Sequence, residues 1–320
     1  MLAAVTLLSA GTVCAQWKPQ NPVEIVVASG PGGGMDKTAR TIQVILRDKK
    51  IVDIPLNVVN KAGGGGSIGW AYLSQHPHDA HYLAIGSPAL LTNHITGKAA
   101  VSYADFTPLA LLVSEYTAFA VSSESTIKTG QDLLDRLRKD PRSVSVAIST
   151  GLGAGNHVAV GKMGKAAGVD IAKLRLIVYS ATGEAITAVL GGHVDLIPVT
   201  VSSVLPYVQP SAKQGLRILA IASPRRLGGV LAGVPTWREQ GLNVEQDSFR
   251  AVMGSKDMTP AQIAYWDAVF RALADSTPWQ ADLENNLWVN NYRDSAGARK
   301  YLAAEYNDYK IQLKELGVIR

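Results

Sequence analysis

The clearest pattern begins with an apolar run over 23–28, in which Val23, Ile25, Val26, Val27 and Ala28 read as a buried strand. A glycine-rich stretch follows at 29–36, and then Met35, Ala39, Ile42, Ile45 and Leu46 form a helical stripe. Asp36 at the front of that helix and Arg47, Lys49 and Lys50 at its rear suit its dipole. The order then recurs, with a strand at 55–60, a glycine turn at 61–67 and a short helical segment through Trp70, Tyr72 and Leu73. A strand at 81–86 runs into Ser87 and Pro88, and strand-like runs follow at 109–113 and 117–122. A second series opens with a capped helix after Thr129, carrying Leu133, Leu134 and Leu137 inward. Its strands fall at 143–148, 174–179, 194–199 and 216–222, with helices through Val160, Met163 and Ala167 and over 184–190. After Pro235 helices dominate, apart from a strand-like run at 249–254, and the last helix shows Ala298, Leu302, Tyr306, Tyr309, Leu313 and Leu316 on one face.

Alternating strands and helices predict an α/β protein with a mostly parallel sheet covered by helices on both faces. In such sheets ligands bind beyond the carboxyl ends of the strands. Those ends are 29–36, 62–67, Ser87 with Pro88, 149–156, 180–183 and 200–203; they are rich in Gly, Ser, Thr and Asn, with Asp36 the charged exception. Taken singly, each loop is also explained as a tight turn with a hydroxyl cap. Together they offer neutral donors, and two lobes facing each other would make a cleft that holds carboxylate oxygens on backbone N–H groups and hydroxyls. Closure would turn on strands near 117–122 and 249–254. The loops supply no coherent set of acids, bases and nucleophiles, so no catalytic residue is assigned.

Composition changes the picture little: 320 residues, 47% hydrophobic and 18% charged, are ordinary for a globular chain. The net charge of +5 suits an acidic ligand, but the basic residues are scattered, so no nucleic acid partner is expected. Residues 1–15 read as the apolar part of a secretory signal cleaved after Val13, Cys14 and Ala15, lacking the usual basic start. Cys14 is the single cysteine, so the processed protein would have neither disulfides nor thiol chemistry. No later stretch is long and apolar enough to cross a bilayer, and a soluble, exported product is expected.

Several motif look-alikes need weighing. The run from Gly64 to Gly69 fits a dinucleotide fingerprint but lacks the ribose-binding acid, so no cofactor is assigned. Gly65, Gly66, Ser67, Ile68 and Gly69 mimic a nucleophile elbow, which keeps a serine hydrolase using Ser67 as an alternative. His76, His78, Asp79 and His81 are explained by a turn entering a strand, and no metal is assigned. His157 opens a helix beside the 149–156 loop and could donate to a ligand.

Five short motifs then occur in order. They are Ser29-Gly30-Pro31-Gly32-Gly33-Gly34-Met35-Asp36 followed by Thr38, Ala39 and Arg40; Asn60-Lys61-Ala62-Gly63-Gly64-Gly65-Gly66-Ser67; Gly183-Glu184-Ala185; Gly191-Gly192-His193-Val194-Asp195; and Val234-Pro235-Thr236-Trp237 with Glu239 and Gly241. This ordered set resembles the solute-binding proteins of tripartite tricarboxylate transporters, the Bug family. The resemblance implies a two-domain periplasmic binding protein fold of the second type, here with 17–118 and 249–320 as one domain and 119–248 as the other. It implies capture of a small carboxylate (a di- or tricarboxylate, an aromatic acid or an acidic amino acid) by a monomer that serves membrane permease subunits. By the family's pattern the first carboxylate falls to Ser29, Gly33, Gly34, Gly65, Gly66 and Ser67, and the remaining specificity to Thr150, Gly151, Asn156, Ser180, Thr182 and Thr200. Asp36 matches a family position and reads first as a helix cap, with contact to a ligand amino group as the second reading. Ser87 joins the candidate set from its strand end. A carboxylate sensor for a signalling system is a further alternative.

Overall fold

A computed structural model describes residues 17–32, 34–149, 151–208 and 215–320. Residues 1–15, for which a secretory signal is the sequence-based expectation, and Gly33 and Thr150 lie outside the described residues. The chain runs β1 (Val23–Val27), α1 (Gly34–Asp48), β2 (Leu56–Asn60), α2 (Ser67–Ser74), β3 (Tyr82–Gly86), α3 (Pro88–Ile95) and β4 (Thr107–Ser122). It continues with α4 (Gly130–Lys139), β5 (Ser145–Ser149), α5 (Gly155–Ala166), β6 (Arg175–Tyr179), α6 (Thr182–Leu190), β7 (Leu196–Thr200), α7 (Val201–Val204) and β8 (Leu216–Ile221). The last segment holds β9 (Asp247–Gly254), α8 (Pro260–Ala274), α9 (Thr277–Asn286), β10 (Val289–Arg293) and α10 (Ser295–Glu315).

Each half has a parallel core, β2-β1-β3 in one and β6-β5-β7 in the other. Antiparallel strands join them: β9 lies between β3 and β4, and β4 also pairs with β7, β8 and β10. The runs at 109–113 and 117–122 are therefore one strand of 16 residues. Ser114 and Glu115 break the apolar pattern between them, yet both are buried with polar partners on β9, Asp247 and Arg250. Up to Tyr116, β4 pairs with β9; from Thr117 it pairs with β7 and β8. The crossing back is at Gln246, whose carbonyl accepts from Thr117 N at 3.1 Å, a little before the 249–254 run in which closure was expected.

The pleat sorts the core. Val23, Ile25 and Val27 face Ile42, Leu46, Trp266 and Phe270, while Val26 faces the cluster with Trp70, Phe249 and Leu302. In the second half Phe119 and Val121 pack with Leu133, Val160 and Trp237, and Ala118 and Ala120 pack with Ile186 and Val201. The inner strands of both sheets are thus buried on both faces. The helices α3 and α10, which complete this cover, come from segments whose chemistry or helicity the sequence left unread. At 76–81, His76 stacks on Tyr82 at 3.7 Å and His81 Nδ1 meets Asp79 at 2.7 Å, the arrangement of a turn.

Candidate binding site

A cavity of about 480 Å³ lies where the strand ends of the two halves face each other. Of the sequence-predicted residues, Ser29, Gly34, Gly65, Gly66, Ser87, Asn156, Thr182 and Thr200 line it. Asp36, Ser67, Gly151, His157 and Ser180 do not, and Gly33 and Thr150 are outside the described residues.

The first loop owes its shape to Asp36. Its Oδ2 accepts from Gly32 N (2.9 Å) and Arg40 Nε (2.9 Å), and its Oδ1 accepts from Asn60 Nδ2 (2.9 Å). Asn60 also reaches Ser29 O at 3.1 Å, so the loop is tied to both β2 and α1. The Arg40 guanidinium above all, with Gly32 N–H and Asn60, holds the Asp36 carboxyl down at about 2 against the opposing effect of burial. Asp36 is thus occupied by the protein itself, which accounts for its place behind the lining.

The second loop carries Gly63, Gly64, Gly65 and Gly66, all at positive φ, through a 3₁₀ turn into α2. A side chain is excluded at Gly66, where a Cβ would stand 3.2 Å from the Ala28 carbonyl. Asn93 on α3 donates to Gly65 O at 2.8 Å and fixes the turn. The Ser67 hydroxyl donates to the Lys98 carbonyl at 3.4 Å, which turns it toward a backbone acceptor.

In the second half, Asn156 Nδ2 and Thr182 Oγ1 both reach Ser149 Oγ, at 2.7 and 3.3 Å, and Thr200 Oγ1 meets Ser203 Oγ at 2.9 Å. His157 is 4% exposed, and its Nδ1 accepts from Gly153 N at 3.0 Å. Burial pushes its pKa down to about 4, so it is neutral with its proton on Nε2. Its role is to shape the 151–155 turn from behind. Ser180 is exposed at the rim of its loop.

The strand-end reading missed the charged lining. Arg250 and Asp247 come from β9, and Lys98 follows α3. Arg250 pairs with the fully buried Glu115 at 3.0 Å. Asp247 is fixed by Tyr301, at 3.1 and 2.9 Å, and by Ser114; burial, with Asp247 adjacent, pushes the Glu305 carboxyl up to about 7. Lys98 Nζ reaches across the cavity mouth to Leu152 O at 3.1 Å. The available signal was a lone arginine inside the apolar run 249–254 and a lone glutamate after 109–113, since charges in buried strands need partners. Pro88 likewise marked the first position of α3, which contributes Thr92 and Asn93, with Thr96 capping its end.

Two α/β halves joined by through-running strands, with a cavity between facing strand ends, define a two-domain binding protein of the second type. The family description "tripartite tricarboxylate transporter family receptor" matches residues 39–318, and the chain belongs to that family. Protein BugT of Bordetella pertussis (strain Tohama I) is 27% identical over 256 residues, covering 78% of this chain and 76% of that one. The chain spans about half, 54%, of the length of a Pseudomonas sp. (strain P51) relative that it matches at 28% identity. Among solved structures, R. palustris Rpa4515 with adipate has a TM-score of 0.81 at 20% identity, covering 93% of this chain and 98% of that one. MatC from Rhodopseudomonas palustris with bound malate has a TM-score of 0.76 at 22% identity, covering 92% and 99%. At such identities these two establish likeness of fold.

Proposed function

We propose that this chain is an exported, periplasmic receptor that closes on a small carboxylate and hands it to the membrane permease subunits of a tripartite tricarboxylate transporter, acting as a monomer and catalysing no reaction. The observation that carries this reading is the cavity between the two halves, lined on one side by glycine backbone at the start of α1 and in the turn before α2. Backbone N–H groups at a helix start favour an anion. The domains would be 17–118 with 249–320 and 119–248, a division supported by the change of β4 partners at Thr117. The structures of Rpa4515 with adipate and of MatC with bound malate support the ligand class. Among the described residues no helix is long and apolar enough to cross a membrane.

The test is a thermal-shift screen with di- and tricarboxylates, aromatic acids and acidic amino acids. A ligand present at about 100 times its Kd should add roughly 2.7 kcal/mol of stability. No shift with any carboxylate would overturn the receptor reading, and labelling of Ser67 by a fluorophosphonate would favour a hydrolase instead.

A further inference from the structure

A second cavity, of about 760 Å³, borders the strand crossing. Consecutive residues of β4 mark the two: Thr117 lines the cavity between the strand ends, and Tyr116 lines this one. Successive side chains of a strand point to opposite faces, so the second cavity lies on the back of the segment where β4 changes partners. No residue lines both cavities. One wall is 224–229, the loop after β8 in the second half, and the other is Glu284 with 287–289, from the end of α9 into β10 in the first half. The walls meet where a Cβ on Gly229 would stand 3.2 Å from Leu287.

The lining joins an apolar floor to two unspent donors. Leu287 and Val289 pack with the buried Leu227. Arg226 is committed, to Glu239 at 2.8 and 3.1 Å. Arg225 is exposed, and its guanidinium has no hydrogen bond or ion pair among the described residues. The Tyr116 hydroxyl is likewise unpartnered and is not sealed from solvent. Burial above all, with Asp247 and Glu245 adding to it and the Arg225 charge opposing, pushes the Tyr116 pKa up to about 12, so at neutral pH this hydroxyl is an O–H donor within the field of Arg225. The single acid of the lining, Glu284, comes from the opposite wall and forms no ion pair with Arg225. A charged and a neutral donor beside an apolar hollow suit an anionic head on an apolar body.

We propose that this cavity is a second ligand site, for an organic anion with an apolar body: Arg225 and Tyr116 receive the anionic group, and Leu227, Leu287 and Val289 bury the body. A ligand there touches both halves next to the crossing. Its affinity therefore depends on the relative position of the halves, which closure on a ligand in the first cavity would change. Resting on the carboxylate-receptor reading, the two sites are linked, each altering the other's affinity by the same factor.

The test uses the full chain with anilinonaphthalene sulfonate, a fluorescent anion with an apolar body, and its uncharged counterpart phenylnaphthylamine. Fluorescence titration of wild type should show a saturable site that prefers the sulfonate. Arg225→Gln with Tyr116→Phe should weaken the sulfonate about 10-fold and leave the amine nearly unchanged. No saturable sulfonate binding in wild type, equal sulfonate affinity in the variant, or a parallel loss of both probes overturns the site. Should circular dichroism show the double variant unfolded, Arg225→Gln alone replaces it, since that side chain has no partner to lose: a reduced preference for the sulfonate supports the site, and an unchanged one overturns it. The linkage is read by isothermal titration calorimetry of the tightest carboxylate from the thermal-shift screen, with and without saturating sulfonate. A changed Kd in wild type that the variant abolishes supports the linkage. An unchanged Kd overturns it, as does an equal change in both proteins, which would mean competition in the first cavity; in either case the receptor reading stands. Should wild type bind no carboxylate, the receptor reading and the linkage fall together, while the second site is still decided by the sulfonate.

Discussion

The two halves solve the same local problem with different chemistry. In each, a strand enters a glycine turn and a helix, and a side chain in the first turn of that helix reaches back four residues to accept an N–H from the turn. Asp36 accepts from Gly32 in the first half, and His157 accepts from Gly153 in the second. The first staple is an ionised carboxylate backed by Arg40 and Asn60; the second is a neutral imidazole held uncharged by burial. The cavity follows the same division. The first half brings Arg250 and Lys98, with Asp247 beside the crossing between the halves, whereas the rest of the described lining of the second half is glycine, hydroxyl, amide, Ala154 and Val199. The charged groups of the described lining are thus concentrated on one side of the cavity.

The comparison breaks most sharply at Asp36. Asp36→Ala removes the acceptor of the Gly32 N–H, Asn60 and Arg40. Since Gly32 and Arg40 are exposed, water re-satisfies those donors and the ion pair is screened, so the lost hydrogen bonds to the ionised carboxylate account for a destabilisation of about 2 kcal/mol. Denaturant unfolding checks this, and a loss within experimental error would mean that the loop does not depend on its staple.

His157→Leu should cost less, about 1–2 kcal/mol, because only the Gly153 N–H is stranded and the new side chain stays buried. His157→Gln, which keeps an acceptor, should recover much of it. The two staples also separate by pH. The His157 pKa is lowered from 6.5 to about 4, so the unfolded chain binds more protons in that window; its contribution is complete above 6.5 and lost as pH falls toward 4. The Asp36 pKa is lowered from 3.8 to about 2, so its contribution is present above 3.8 and lost only as pH falls toward 2. Melting temperature against pH for wild type minus His157→Gln should therefore slope between 6.5 and 4, while wild type minus Asp36→Asn slopes below 4. A flat first difference would remove His157 as a buried neutral staple.

Much of this was legible in sequence, and the exceptions have a common cause. The stripe from Ala39 to Leu46 and the glycine turns at strand ends announced both the βα units and the face on which the cavity forms, because burial and helix periodicity are local. What stayed hidden depends on partners distant in sequence. Glu115 is acceptable inside a strand only because Arg250, 135 residues away, pairs with it. β10 carries Asn290 and Asn291, a polar pattern with no strand signature, and exists because β4 offers it an edge; Asn291 bonds Ser114 Oγ at 2.8 Å. Asp36 and His157 were visible as chemistry-bearing residues next to glycine loops, but spacing could not show that each turns back on its own loop.

The finest test of the comparison uses the glycines the staples hold. Gly32 and Gly153 both have left-handed backbone, at φ 81° and 89°, so alanine at either should cost about 1 kcal/mol from strain alone. Their surroundings differ. Nothing lies within 4 Å of a Cβ at Gly32, whereas a Cβ at Gly153 would meet Thr96 at 3.2 Å and Leu313 and Val318 at 3.4 Å, all from the first half. Gly153→Ala should therefore exceed Gly32→Ala by a further few tenths to about 1 kcal/mol, the cost of pushing the second-half turn against α10 and the end of α3. Ligand separates the two again: the excess at Gly153 should grow in a saturating carboxylate if closure tightens that contact. Equal costs for the two substitutions, with and without ligand, would show that the second-half turn does not bear on the first half at all, and that the two loops differ only in the residue that staples them.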